Sequence, residues 1–307
     1  MILSDEDIEK AKLAGKIASK AIVYGRSLIK PGVKIVDVLN QIEDFIRQNN
    51  GDMAFPAQIS INDVAAHFCP LEDDETVIKS TDLVKLDLGV HIDGIIADNA
   101  ITIIFKEDNP LYDELNNIKR ASEEALKNAL NIIHPGITLG EIGLMIQETI
   151  MKYDLSPIKN LSGHGLGKYS VHEHPTIPNF NTNDKTELQE NQLIAIEPFA
   201  TSGYGMVLES SNPTLFSLKK LSPVRSPYAR EVLSEIKKFN SLPFTTRWLT
   251  KKINPGKVRL GLMELKNFGI IKEYPPLVES KKGIVSQSEH TVIVKDKPII
   301  TTLNEVT

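Results

Sequence analysis

The stretch VKLDLGVHIDGIIADNAITIIF, from Val84 to Phe105, sets two aspartates among apolar residues. Alternating and β-branched residues flank Asp93-Gly94, the signal for a two-residue type I′ hairpin turn. With that turn, Ile92 pairs with Ile95 and Gly89 lies opposite Asp98. Asp87 shares a face with Gly89, because strand side chains alternate. Asp87 and Asp98 are then diagonal neighbours, with Cα atoms about 7–8 Å apart. Two carboxylates among Leu, Ile and Val repel one another and resist burial. A cation between them resolves both problems, whereas the ordinary alternative is a polar outer face of the hairpin.

Three downstream segments add matching donors. SGHG places His164 in a glycine-rich loop, with room for its imidazole to reach a metal. LIAIEP sets Glu197 at the end of an apolar strand, an expensive place for an unpaired carboxylate. SQSEHTVIV sets Glu289 at the mouth of another. One imidazole and four carboxylates form a mixed nitrogen–oxygen set suited to Mn, Fe, Co or Zn. Four carboxylate charges also offset two divalent cations if the histidine is neutral.

Several elements must position these groups. Ser4 followed by Asp5, Glu6 and Asp7 starts a helix with Ile8, Leu13, Ile17, Ala21 and Leu28 on one face, stopped by Pro31-Gly32. A second helix is expected over Ile35 to Gln48, then an extended segment over Phe55 to Val64 with His67 soon after. Helices are predicted at about Asn109 to Ile133 and Thr138 to Tyr153. Short strands are predicted near Ser170 to His174, Gln192 to Ile196 and Thr291 to Val294. The pattern describes an α+β domain, an antiparallel sheet with helices on one face. Tyr228 to Phe239, Thr245 to Lys252 and Val258 to Phe268 read as three short helices of an insert.

Composition sets outer limits. Of the 307 residues, 41% are apolar and 24% charged, as in an ordinary globular protein. No apolar run reaches the roughly 20 residues needed to cross a bilayer, and the acidic N-terminus does not read as a secretory signal. Cys69 is the only cysteine, so an internal disulfide is excluded and a reducing, cytoplasmic setting is expected. Between Pro213 and Tyr274, thirteen Lys or Arg face four Glu, a net of +9 in a chain of net −5. Such a block is either a solvated helical surface or the face that meets an anionic partner.

KLDLGVHIDGIIADNA, SGHGLGKYSVHEHP, IAIEPFA and SQSEHT, in this order and spacing, resemble the metal-site motifs of the methionine aminopeptidases. NDVAAHF and YPPLVESKKGIVSQSEHT resemble the type II branch, whose last two ligand motifs are split by a helical insert similar to a winged helix. Here 91 residues separate Glu197 from Glu289. The resemblance implies a pita-bread fold, with residues 1–212 and 275–307 catalytic and residues 213–274 the insert. It looks most like the short archaeal form, without the added N-terminal domain of prolidases and aminopeptidase P. It implies two divalent ions per chain: Asp87 on one, Asp98 and Glu289 bridging, and His164 and Glu197 on the other. Glu197 would shuttle protons, and His67 and His172 would contact substrate and stabilise the tetrahedral intermediate. His172 and His174 could share a strand face, and only the resemblance favours His172. Phe55, Val171 and Tyr274 would line a slot for methionine. The implied substrate is the N-terminal methionine of nascent polypeptides, handled by a monomer whose basic insert docks near the ribosomal exit. His91 and His134 are expected to be structural or solvated, His290 to point away from Glu289, and no histidine from the insert region reaches the pocket.

Overall fold

The computed structural model describes residues 1–210 and 212–303. Helix α1 (Asp5–Leu28) starts where the Ser4 hydroxyl accepts from the Asp7 amide, and three acids occupy its first turn. Its buried face is built from Ile8, Ala11, Ala14, Gly15, Ile17, Ala18, Ala21 and Ile22, not from Leu13, which is exposed. Small residues let the helix lie close to its neighbours, and a Cβ on Gly15 would stand 2.2 Å from the Thr301 carbonyl oxygen. Helix α2 (Ile35–Gln48) buries Ile35, Val38, Leu39, Ile42 and Ile46 in the same core.

The principal sheet runs in the order β1 (Asp52–Ile61), β3 (Val84–Ile92), β4 (Ile95–Ile103), β16 (Glu289–Ile293), β8 (Leu193–Ile196), β6 (Ser162–Gly167), β7 (Ser170–Pro178), with β17 (Ile299–Ile300) beside β16. The hairpin register is the one the Asp-Gly turn dictates: Ile92 faces Ile95 and Gly89 faces Asp98. Asp93 (φ 50°) and Gly94 (φ 87°) both take the left-handed conformation that a type I′ turn needs. Helices α3 (Tyr112–Asn131) and α4 (Leu139–Met151) bury a second core against β8 and β16. Helix α3 begins after the expected Asn109, whose side chain accepts from the Leu111 amide and holds a turn before the helix. Helix α4 begins with a capping box between Thr138 and Glu141. Two short sheets complete the domain: β10 (Val207–Glu209), β14 (Leu277–Glu279) and β2 (Val64–Ala66); and β15 (Val285–Gln287), β9 (Phe199–Thr201) and β5 (Ser156–Pro157). No helix among the described residues is long and apolar enough to cross a membrane.

The insert region differs from a purely helical reading. Helices α5 (Pro227–Ile236), α6 (Thr246–Thr250) and α7 (Pro255–Asn267) are joined by a three-stranded antiparallel sheet, β12 (Phe244–Thr245), β11 (Leu215–Leu218) and β13 (Ile271–Tyr274). These strands have two to four residues each, too few to show a period of two in the sequence. The insert is tied to α2 by an internal ion pair. Arg247 donates to both oxygens of Glu43 at 2.7 and 3.1 Å and to Asn40 at 2.6 Å, while the Trp248 indole donates to Glu43 at 2.7 Å. Arg247 and Glu43 are 0% and 1% exposed, so either group alone would be a stranded buried charge. Arg247→Ala is expected to cost about 3–5 kcal/mol in urea unfolding, and Glu43→Leu with Arg247→Met to recover most of it. Equal losses in the single and double variants would show that packing, not charge pairing, holds the insert.

Candidate metal centre

Five neighbouring strands or strand ends bring the candidate ligands together. Asp87 on β3 lies opposite Ala100 on β4, and Ala100 lies opposite Glu289 at the start of β16. His164 on β6 pairs with Ala195 on β8, one strand from the β16 ladder, and Glu197 follows the last residue of β8. The oxygens of Asp98 and Glu289 and a ring nitrogen of His164 lie within 4.8 Å of one another. His164 Nε2 stands 3.5 Å from Glu197 and 3.9 Å from Asp98. Asp98, His164 and Glu289 are 3%, 6% and 2% exposed, so water does little to stabilise their charges.

The electrostatics follow. Burial pushes Asp87 up to about 7, against a lowering hydrogen bond from Gln287. Burial and then the Asp87 charge hold Asp98 well above the usual carboxylate range. Glu197 and Glu289 are raised in the same way, by burial first and the neighbouring carboxylates second. Burial lowers His164 to about 4, leaving it a neutral imidazole at pH 7. Its Nδ1 lies 3.2 Å from the Gly165 carbonyl, which suits a proton there and leaves Nε2 free to ligate. Asp87 Oδ1, Asp98 Oδ1 and Glu289 Oε1 are buried without a hydrogen-bond partner. Orphaned carboxylate oxygens converging around a neutral imidazole fit a divalent cation.

The candidate ligands line a cavity of about 200 Å³, with Phe55, His67, Val171, His172 and Tyr274 on its walls. The structure distinguishes two histidines that position alone did not: His172 faces the cavity, 4.6 Å from the His164 ring, whereas His174 does not line it. His67 follows β2 in a left-handed conformation (φ 65°) and meets Tyr274 edge-on at 5.8 Å. Burial lowers His67 to about 4; His172, although its side chain reaches solvent, is lowered by partial burial and by the neighbouring His164, His67 and Lys272. Phe55 lies against Gly89, where a Cβ would come within 2.3 Å of its ring. The remaining histidines have local tasks: His91 accepts from the Gly94 amide, His134 lies 2.7 Å from the Pro135 carbonyl, and His290 pairs with Thr302 at 2.8 Å.

Sequence reasoning missed the groups that hold the ligands. Gln287 extends its amide nitrogen to Asp87 at 3.3 Å and Glu197 at 3.5 Å. Its own backbone is held at both ends by the Thr102 hydroxyl. The Thr291 hydroxyl accepts from the Asp98 amide at 2.6 Å and donates to the Asp98 carbonyl at 2.9 Å. Gln287, Glu289 and Thr291 recur at every second position, the strand period that could have shown them. Tyr274 lines the cavity as expected, and Leu215 and Pro243 also carry the insert into its wall, a contribution the insert's basic composition concealed.

Residues 9–239 match the model of metallopeptidase family M24. A methionine aminopeptidase of Thermococcus onnurineus (strain NA1) is 44% identical over 292 residues, covering 94% of this chain and 97% of the relative. One of Methanocaldococcus jannaschii is 41% identical over 295 residues, covering 96% and 97%. The crystal structure of a methionine aminopeptidase from Thermotoga maritima superposes with a TM-score of 0.73 at 24% identity, covering 99% of each chain, and so supports the fold.

The raised carboxylates have a consequence for stability. A carboxyl whose pKa is raised by folding binds its proton more tightly in the folded state, so stability is lost as pH rises through the folded value. The lowered histidines work in the opposite direction, but only between about pH 4 and 6.5, where the folded and unfolded forms differ. Above pH 6.5 the four raised carboxylates set a falling slope against two lowered cations, Lys85, which burial brings down to about 7, and the Met1 ammonium, both of which bind fewer protons in the folded state. With chelator, the melting temperature is expected to fall from pH 6.5 to 8, and the increment from added Mn²⁺ to grow over the same range. A profile that stays flat with chelator in the Lys85→Met background, where the main opposing cation is gone, would mean that the carboxylates do not share one buried field.

Proposed function

From the premise that this chain belongs to metallopeptidase family M24 and is a metallo-aminopeptidase that removes N-terminal methionine, we propose that Asp87, Asp98, His164, Glu197 and Glu289 hold two divalent ions. The observation that carries this assignment is the set of orphaned oxygens on Asp87, Asp98 and Glu289 around the neutral His164. Divalent cations bound there supply Lewis acidity to the scissile carbonyl and lower the pKa of water at the site. The chain's own groups perform the rest. Glu197 takes a proton from the attacking water and delivers it to the leaving amine. His67 and His172, both neutral and turned to the cavity, hold the substrate and donate to the oxygen that gains charge as the carbonyl becomes tetrahedral. Phe55, Val171 and Tyr274 form the slot for the methionine side chain, with no charged group among them.

The helices and small sheet between Glu197 and Glu289 support placement in the type II branch, acting as a monomer in the cytoplasm on nascent chains. Contact with an anionic partner such as the ribosome would fall to the exposed cations of the insert. That surface is weaker than the composition suggests: Arg247 is internal, and Lys238, Lys252, Lys257 and Lys266 pair with the insert's own Glu235, Glu231 and Glu273. Neutralising Lys251, Lys252, Lys257 and Arg259 together should still lower ribosome co-sedimentation at low salt, and unchanged sedimentation sinks this part of the reading.

The main test is methionine release from Met-Ala-Ser by chelated protein resupplied with Co²⁺ or Mn²⁺. Release should depend on metal, fall by more than about 100-fold in Asp98→Ala, and vanish for the N-acetylated peptide. Cleavage of Xaa-Pro peptides with none of Met-Ala-Ser would assign the site to a different reaction of the same fold.

A further inference from the structure

Strand β1 places an uncommitted amide in the cavity. Gln58 is 6% exposed, lines the cavity, and has a buried Oε1 with no hydrogen-bond partner. A buried carbonyl oxygen left unpaired is costly, so its retention at a cavity wall calls for a partner that arrives from outside the chain. Its placement is also built. Phe55 pairs with Gly89 and Gln58 with Asp87, a step of three residues on β1 against two on β3. In a regular strand, residues three apart point to opposite faces. The bulge at Pro56-Ala57 inserts the extra residue that turns Phe55 and Gln58 to the same side, and bulges re-aim side chains in this way. Proline suits that position because a bulge leaves a backbone amide out of the ladder.

We propose that Gln58 is a substrate-binding residue whose side-chain carbonyl accepts a hydrogen bond from the free amino group of the N-terminal methionine. The assignment rests on the aminopeptidase reading and on where the amide stands. Phe55 marks the apolar slot and Asp87, directly opposite Gln58, marks the carboxylate cluster. In a bound peptide the methionine side chain enters the slot and the scissile carbonyl faces the cluster. The amino group, on the Cα that joins the two, must lie at their junction, and Gln58 occupies that junction. The residue type is also apt. A fifth carboxylate would add to a field that already raises Asp98, Glu197 and Glu289, whereas an amide oxygen accepts from an amine without a net charge. Gln58 would thereby help to restrict the enzyme to unblocked N-termini.

The test compares two ligands that differ only in the amine, L-methionine and 4-(methylthio)butanoic acid, titrated calorimetrically into the Mn²⁺-loaded enzyme. Wild type should bind methionine more tightly. In Gln58→Met, which keeps the volume, that preference should shrink about ten-fold, with the desamino acid little changed. Gln58→Ala should lose the same preference, since the effect is a missing acceptor and not a cavity. Because both ligands meet the same sample, a partly unfolded variant changes the stoichiometry and leaves the ratio readable. An unchanged ratio in Gln58→Met, or loss in Gln58→Ala alone, overturns the proposal. So does a variant that keeps the amine preference but no longer separates methionine from norleucine, which would place the amide at the thioether. Met-Ala-Ser cleavage by wild type is scored separately, so failure of the aminopeptidase reading is not mistaken for failure at Gln58.

Discussion

The structure turns on a charge problem set by strand register. The Asp-Gly turn fixes β3 against β4, β4 fixes β16, and β16 fixes β8, so carboxylates from separate stretches of the chain converge in one buried place. Burial raises them all, and the charges of Asp87 and Asp98 raise the carboxylates beside them further. The fold does not relieve this with its own cations. Lys85 shares the face of Asp87 on β3, yet its amine donates to the Asn62 and Val285 carbonyls at 3.0 and 2.8 Å, and burial lowers it to about 7 against the raising charges of Asp63 and Asp82. What remains is a stored negative potential whose natural counterpart is a divalent ion.

Neutral groups keep that potential intact while fixing its geometry. Gln287 reaches two of the carboxylates with an amide, Thr291 grips Asp98 only through its backbone, and His67 and His164 are held uncharged by burial. A lysine or arginine in any of these places would hold the ligands equally well but would satisfy them, and the cation would have no advantage. Positioning and charge balance are thus separate tasks, done by different residue types.

Legibility in the sequence followed the range of the interactions. The hairpin and its two aspartates could be derived because a two-residue turn fixes every pair on both strands, and observed and expected registers coincide at Gly89 and Asp98. Helix α1 was legible from its cap and stop, though Leu13 went to solvent because alanines, less conspicuous in a hydropathy pattern, form the packed face. The convergence of His164, Glu197 and Glu289 on the hairpin is long-range and came from resemblance to a family, not from spacing. The insert's sheet was hidden for the same reason, since Leu215 pairs with Tyr274 and Thr245 across intervening helices. Gln58 was hidden by the bulge, which breaks the alternation by which faces are read.

The insert therefore has a second identity. Its basic surface invites a reading as a separate docking module, but Leu215, Pro243 and Tyr274 form part of the cavity wall, and Arg247 is locked into the core through Glu43. A module that moved freely would open the cavity wall and expose a buried charge pair at the same time. The internal pair is a poor device for stability alone, since apolar side chains of similar volume often serve better there. Its directional hydrogen bonds to Glu43 and Asn40 instead fix where the insert sits, and that placement is what the wall of a specific pocket requires. The charge pair at α2 and the charge cluster at β3 thus solve opposite problems: one is closed within the chain so that the cavity keeps its shape, and the other is left open so that the cavity can hold metal.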